Sequence, residues 1–207
     1  ICGLNKIESM FYKVNYIIVL CILITSCTMQ DNKRCDLLYE KALDCWCKYS
    51  LSHDTLLLRK SEQYLDSIDC KPIKYRVFEL KVSLIYLLKD YERGKDYIAS
   101  FDSLDFGVGY KKNMYLKTFE ALTFASQGDT IKQNQLYLEI VKDIQNYLSN
   151  NPNEESLYDL YTIKRRIESR DSIIKEIEHI RFSKLYNDDF LNALIETITA
   201  NDDENWY

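Results

Sequence analysis

Cysteine and histidine are the residue types here best able to hold a metal, attack a carbonyl or move a proton. The chain has seven cysteines and two histidines among its 207 residues. His53 and His179 lie far apart, and neither has a serine, cysteine or second base at a motif spacing, so no nucleophile–base pair emerges. Cys45 and Cys47 are two apart on an expected helix and point to different faces. With His53 they would give a metal only three ligands, at an unusual spacing. Gly107-Val108-Gly109 lacks the lysine and the flanking strand of a phosphate loop. Asp188-Asp189 and Asp202-Asp203-Glu204 lack the ordered spacing of a calcium loop and read as solvated. Lys164-Arg165-Arg166, with Glu168 and Glu176 following, reads as a mixed, exposed helix face. The expectation is no catalytic residue, no metal and no cofactor, and a protein that is not an enzyme.

The elements that would carry these residues are helical. Five glycines and two prolines are too few for the many tight turns of a strand-rich fold. Leu37, Leu38, Leu43 and Trp46 recur at helical steps over Asp36 to Tyr49, and Ser52 or Asp54 can cap the next helix. That helix runs from Thr55 to Ile68, with Leu57, Leu58, Leu65 and Ile68 apolar. The third starts at Pro72, and Ile73, Val77, Leu80, Leu84, Leu87 and Leu88 form its face. Asp105 to Gly109 breaks into a loop. Pro152 opens a later helix capped by Asn151 or Asn153, with Leu157, Leu160, Tyr161 and Ile167 as its apolar face. Ile173, Ile177 and Ile180 mark another helix, and Phe190, Leu194 and Ile198 a last one.

A net charge of −5 without a basic block offers no electrostatic footprint for nucleic acid and little attraction to an anionic membrane surface. Seventeen tyrosines suit a core and a recognition surface alike. Tyr75, Tyr86, Tyr110 and Tyr115 are candidate exposed contacts.

Met10 to Cys27 combines one cation, Lys13, an apolar run from Tyr16 to Ile24, and small polar Thr25 and Ser26 before a cysteine. This is the layout of a secretory signal, too short to span a bilayer. Ile24-Thr25-Ser26-Cys27 resembles the lipobox of bacterial lipoproteins, whose cysteine is acylated and becomes the new N-terminus. The resemblance implies a leader over 1–26, its first nine residues preceding a plausible start at Met10. It implies lipid attachment at Cys27, a tether over 27–35 and a place in the bacterial cell envelope. Thr28, where an aspartate would retain the protein at the inner membrane, points to the outer membrane. In such an oxidising compartment Cys35 and Cys70, near the two ends of the first expected hairpin, are either disulfide-bonded or two small buried residues.

Tyr91, Gly94 and Ile98 follow an acidic turn, and Ala121, Phe124, Gly128-Asp129, Tyr137 and Ile140 repeat the pattern. Both stretches resemble the tetratricopeptide repeat, in which an aromatic and a small residue let paired helices pack closely. Ser61 takes the small position of an earlier copy. Gln133 and Lys117 depart from the family's alanine and tryptophan, and Gly94 to Gln133 exceeds its ~34-residue period. The resemblance implies an all-α solenoid over 36–207, of three to four helical hairpins plus a terminal helix. One hairpin cannot bury its apolar face alone, so neighbours stack and leave a groove. The expected function is a lipid-tethered scaffold holding a protein or peptide ligand, beside two others: a sensory or regulatory envelope component, and an enzyme of uncharted type.

Overall fold

A computed structural model describes residues 33–70 and 75–200. The leader, Cys27, Pro72, Ile73 and the polar stretch Asn201 to Glu204 lie outside the described residues. Every regular element among the described residues is helical, as the scarcity of turn formers implies. Read from sequence, 36–207 is one array; by its contacts the chain divides into two compact units, Ile1–Leu88 and Lys89–Tyr207.

The first unit contains α1 (33–52), α2 (Thr55–Asp66) and α3 (Tyr75–Leu87). α1 stops because His53 turns into the left-handed region (φ 54°), where its N–H still reaches the Tyr49 carbonyl at 2.7 Å. Asp54 restarts the chain as a cap, its Oδ1 accepting from the Leu56 N–H at 3.0 Å. Two small residues set the distance between the helices: fully buried Ser61 of α2 donates its hydroxyl to the carbonyl of fully buried Ala42 of α1 at 2.7 Å. Ala42, Leu58, Leu65, Val77, Leu80 and Leu84 form the core. Leu37, expected on the buried face of α1, is 56% exposed. Cys35, Ala42 and Cys45 hold that face instead.

The second unit contains α4 (Tyr91–Ala99), a 3-10 turn (Ser103–Phe106), α5 (Lys111–Ser126), α6 (Thr130–Leu148), α7 (Glu154–Lys164), α8 (Arg170–Arg181) and α9 (Asp188–Thr199). α4 packs on α5, α5 on α6 and α6 on α7, consecutive pairs consistent with a helical-repeat solenoid. The α5–α6 turn needs Gly128, whose φ is 80°, and Asp129 then caps α6 by accepting from the Lys132 N–H at 3.0 Å. Asn153, rather than Asn151, caps α7 through the Ser156 N–H at 2.8 Å. At the end of the unit the order changes: α9 packs on both α7 and α8. Arg165 donates to the Ile198 carbonyl at 3.4 Å, so the C-terminal end of α9 lies beside that of α7. The core runs through Tyr137, Ile140, Ile144, Leu160, Tyr161, Ile173, Ile177, Leu191, Leu194 and Ile198.

Candidate functional site

The positions matched to the repeat family fall mostly inside. Gly94, Ile98, Ala121, Tyr137 and Ile140 are buried, Tyr91 and Phe124 half-buried, and Gly128 stands exposed at its turn. These residues pack helices, and none of them lines the cleft of the second unit.

One opening in the second unit lies along α8, with Tyr161 of α7 at its side. It is an open cleft of about 610 Å³. Tyr161 contributes from α7, Ser169 from the cap of α8, and Lys175, Glu176, His179 and Ile180 from the body of α8. The spacing of 172, 175, 176 and 179 is one helix face, and the opposite face of α8 carries the core residues Ile173 and Ile177.

Charge lies beneath this cleft. Lys164 is only 5% exposed, which corrects the expectation of an exposed basic face. Its stem lies against the Tyr161 ring, with the ammonium 5.8 Å from the ring centroid. The ammonium pairs with Glu176 and, at 3.3 Å, with Glu168. Burial pushes the Tyr161 hydroxyl well above the usual tyrosine range, and the neighbouring Glu176 carboxylate adds to the shift. Tyr161 therefore stays neutral beside Glu176. These groups hold one another in place, and the cleft wall they support combines apolar surface with side chains of both charges.

A second buried polar group ties α5 to α7, and it was missed because Tyr110 reads as a surface aromatic. Tyr110 is 6% exposed, and its hydroxyl donates to Asp159 Oδ2 at 2.7 Å. Lys111, 6% exposed, pairs with Glu155 and lies 3.7 Å from Asp159. Burial raises the Asp159 carboxyl, and the Tyr110 hydroxyl and Lys111 ammonium pull it part of the way back. The spacing of Glu155 and Asp159, one turn apart on a helix, carried the signal. The other tyrosines expected as contacts differ among themselves: Tyr75 is 62% exposed, while Tyr86 and Tyr115 are half-buried.

In the first unit Cys35 and Cys70 form a disulfide, with Cα atoms 6.4 Å apart. Cys45 is a buried free thiol and Cys47 an exposed one. His53 lies at the α1–α2 turn beside Tyr49, and His179 on α8. Among the described residues no helix is long and apolar enough to cross a membrane.

Compared with protein families, curated proteins and solved structures, this chain matches none. Its own geometry therefore carries the functional argument.

Proposed function

We propose that this chain is a membrane-tethered lipoprotein of the bacterial envelope, whose helical scaffold holds a protein or peptide ligand. The observation that carries the binding role is the cleft along α8. It is an open cleft of about 610 Å³ whose lining mixes apolar surface with charged side chains, on a helix whose other face is locked into the core. Of its groups, Glu176 pairs with Lys164 and Tyr161 lies beside that ammonium, an arrangement suited to holding a shape. The tether rests on Ile24-Thr25-Ser26-Cys27. The Cys35–Cys70 disulfide supports it, because disulfides persist in oxidising compartments such as the envelope.

Co-purification from detergent-solubilised membranes tests the ligand. A stoichiometric protein that is retained by the native chain and lost from Lys175→Glu/His179→Glu supports the scaffold. Retention unaffected by that pair, or turnover of a small substrate by the purified chain, contradicts it. Fractionation of Cys27→Ser tests the tether: release into the soluble fraction is expected, and persistent membrane attachment sinks that part.

A further inference from the structure

The last turn of α9 delivers the chain to the rim of the cleft. Arg165 donates to the Ile198 carbonyl at 3.4 Å, and Arg170 Nη1 donates to the Thr199 carbonyl at 3.5 Å. Arg170 is the first residue of α8, and its neighbours Ser169 and Asp171 line the cleft. Beyond Ala200 the sequence continues Asn201-Asp202-Asp203-Glu204-Asn205-Trp206-Tyr207. Carboxylates come first in this segment and aromatic rings follow.

The cleft face of α8 offers the matching chemistry in the same order. Its carboxylate Glu176 is already matched by Lys164, and Asp171 sits in the first turn, where the helix dipole favours an anion. Lys175 is exposed and has no ion-pair partner among the described residues. One turn further along come exposed His179 and half-buried Ile180. The reach is sufficient. An extended chain advances ~3.3 Å per residue and α8 rises ~1.5 Å per residue, so residues 202–204 come level with Lys175, ~7.5 Å along the axis from Arg170. Trp206 then reaches the level of His179 and Ile180, ~13–15 Å along, with length to spare.

We propose that residues 201–207 fold back along α8 and occupy this cleft. Asp202, Asp203 and Glu204 lie against Lys175, and Trp206 and Tyr207 cover His179 and Ile180. Exposed ion pairs alone are weak, so the acids set the register and the rings supply the burial. The segment starts at the rim, which keeps its local concentration on the order of millimolar, and a contact with a dissociation constant of that order holds the cleft half filled. Docking of this segment needs no outside ligand. On the scaffold reading above, a protein or peptide ligand enters by displacing it.

Trp46 and Trp206 are the two tryptophans of the chain. The fluorescence of the full chain minus that of Trp206→Phe therefore isolates residue 206. Acrylamide quenching of this difference should be several-fold weaker than quenching of a free peptide of residues 201–207, and should stay so on dilution. Lys175→Glu should raise it to the value of the free peptide, and adding Asp202→Lys/Asp203→Lys to Lys175→Glu should restore protection. Lys48→Glu, on α1, should change nothing. Quenching in the native chain equal to that of the free peptide, or protection untouched by Lys175→Glu, would overturn the contact. Protection lost on dilution would put the segment in the cleft of a second copy and overturn the fold-back. Co-purification reads the outside ligand separately, so failure to find one leaves this result standing.

Discussion

A Cβ placed on Gly94 of α4 would lie 2.5 Å from Cε1 of Phe119 on α5, and within 2.7 Å of two further ring atoms. Phe119 is 3% exposed, so its ring has no solvent to move into. Gly94→Ala therefore overpacks this contact, which costs ~1–3 kcal/mol and outweighs the ~1 kcal/mol of helix propensity that alanine restores. Urea unfolding should show a lower midpoint at constant slope. In the double variant with Phe119→Leu the two losses should be less than additive, because the second change makes room for the first.

Reduction of Cys35–Cys70 should lower the stability of the first unit. The bond closes a loop of sequence separation 35, worth roughly 3–4 kcal/mol of unfolded-state entropy in the chain-entropy account. Trp46, packed against the core of that unit, is the reporter. Its fluorescence transition should move to lower urea in Cys70→Ser, while the native signal before the transition stays close to that of the oxidised protein.

Burial separates lysines that look alike in sequence. Lys164→Ala leaves Glu176 and Glu168 without their shared cation and uncovers Tyr161, so a loss of ~1–3 kcal/mol is expected. Lys48, paired with Asp44 across an exposed turn of α1, should tolerate alanine with no measurable shift in midpoint. Equal effects at the two positions would show that the buried cluster is not formed.

Tyr110 and Tyr161 set the alkaline limit. Burial raises both hydroxyls above the ordinary tyrosine value near 10, so the folded chain keeps them neutral where the unfolded chain ionises them. A raised folded-state pKa contributes stability that is complete below about pH 10 and is lost as pH rises above it. Ultraviolet titration should show a class of tyrosines that ionises only as the helical signal collapses. Tyr110→Phe should flatten the alkaline loss and also cost the hydrogen bond to Asp159.

The helical class is legible in sequence, and the caps are narrowed to Ser52 or Asp54 and to Asn151 or Asn153, because each depends on residues adjacent in the chain. The close approach at Gly94 is legible only through the resemblance to the repeat, since Phe119 lies on another helix. What is not legible depends on which surfaces meet. Leucine at 37 and cysteine at 35 and 45 rank oppositely by hydropathy habit and by burial, since the partner helix selects the face. Lys164 reads as solvated until Glu176, on the next helix, is brought beside it. Tyr110 reads as a contact residue until Asp159 of α7 is placed against it. The cleft brings Tyr161 of α7 beside one face of α8, a meeting that spacing along one helix does not encode. Division of the chain at Leu88 and Lys89 leaves no composition signal, because Lys89, like His53, turns with a positive φ and without glycine.

The tethered-scaffold account is tested most directly by intact mass and N-terminal mapping of the protein extracted from membranes. The account predicts a chain that begins at Cys27 and carries a diacylglycerol-type mass on that residue. A chain that retains residues before Cys27, or whose Cys27 bears no lipid, would contradict it.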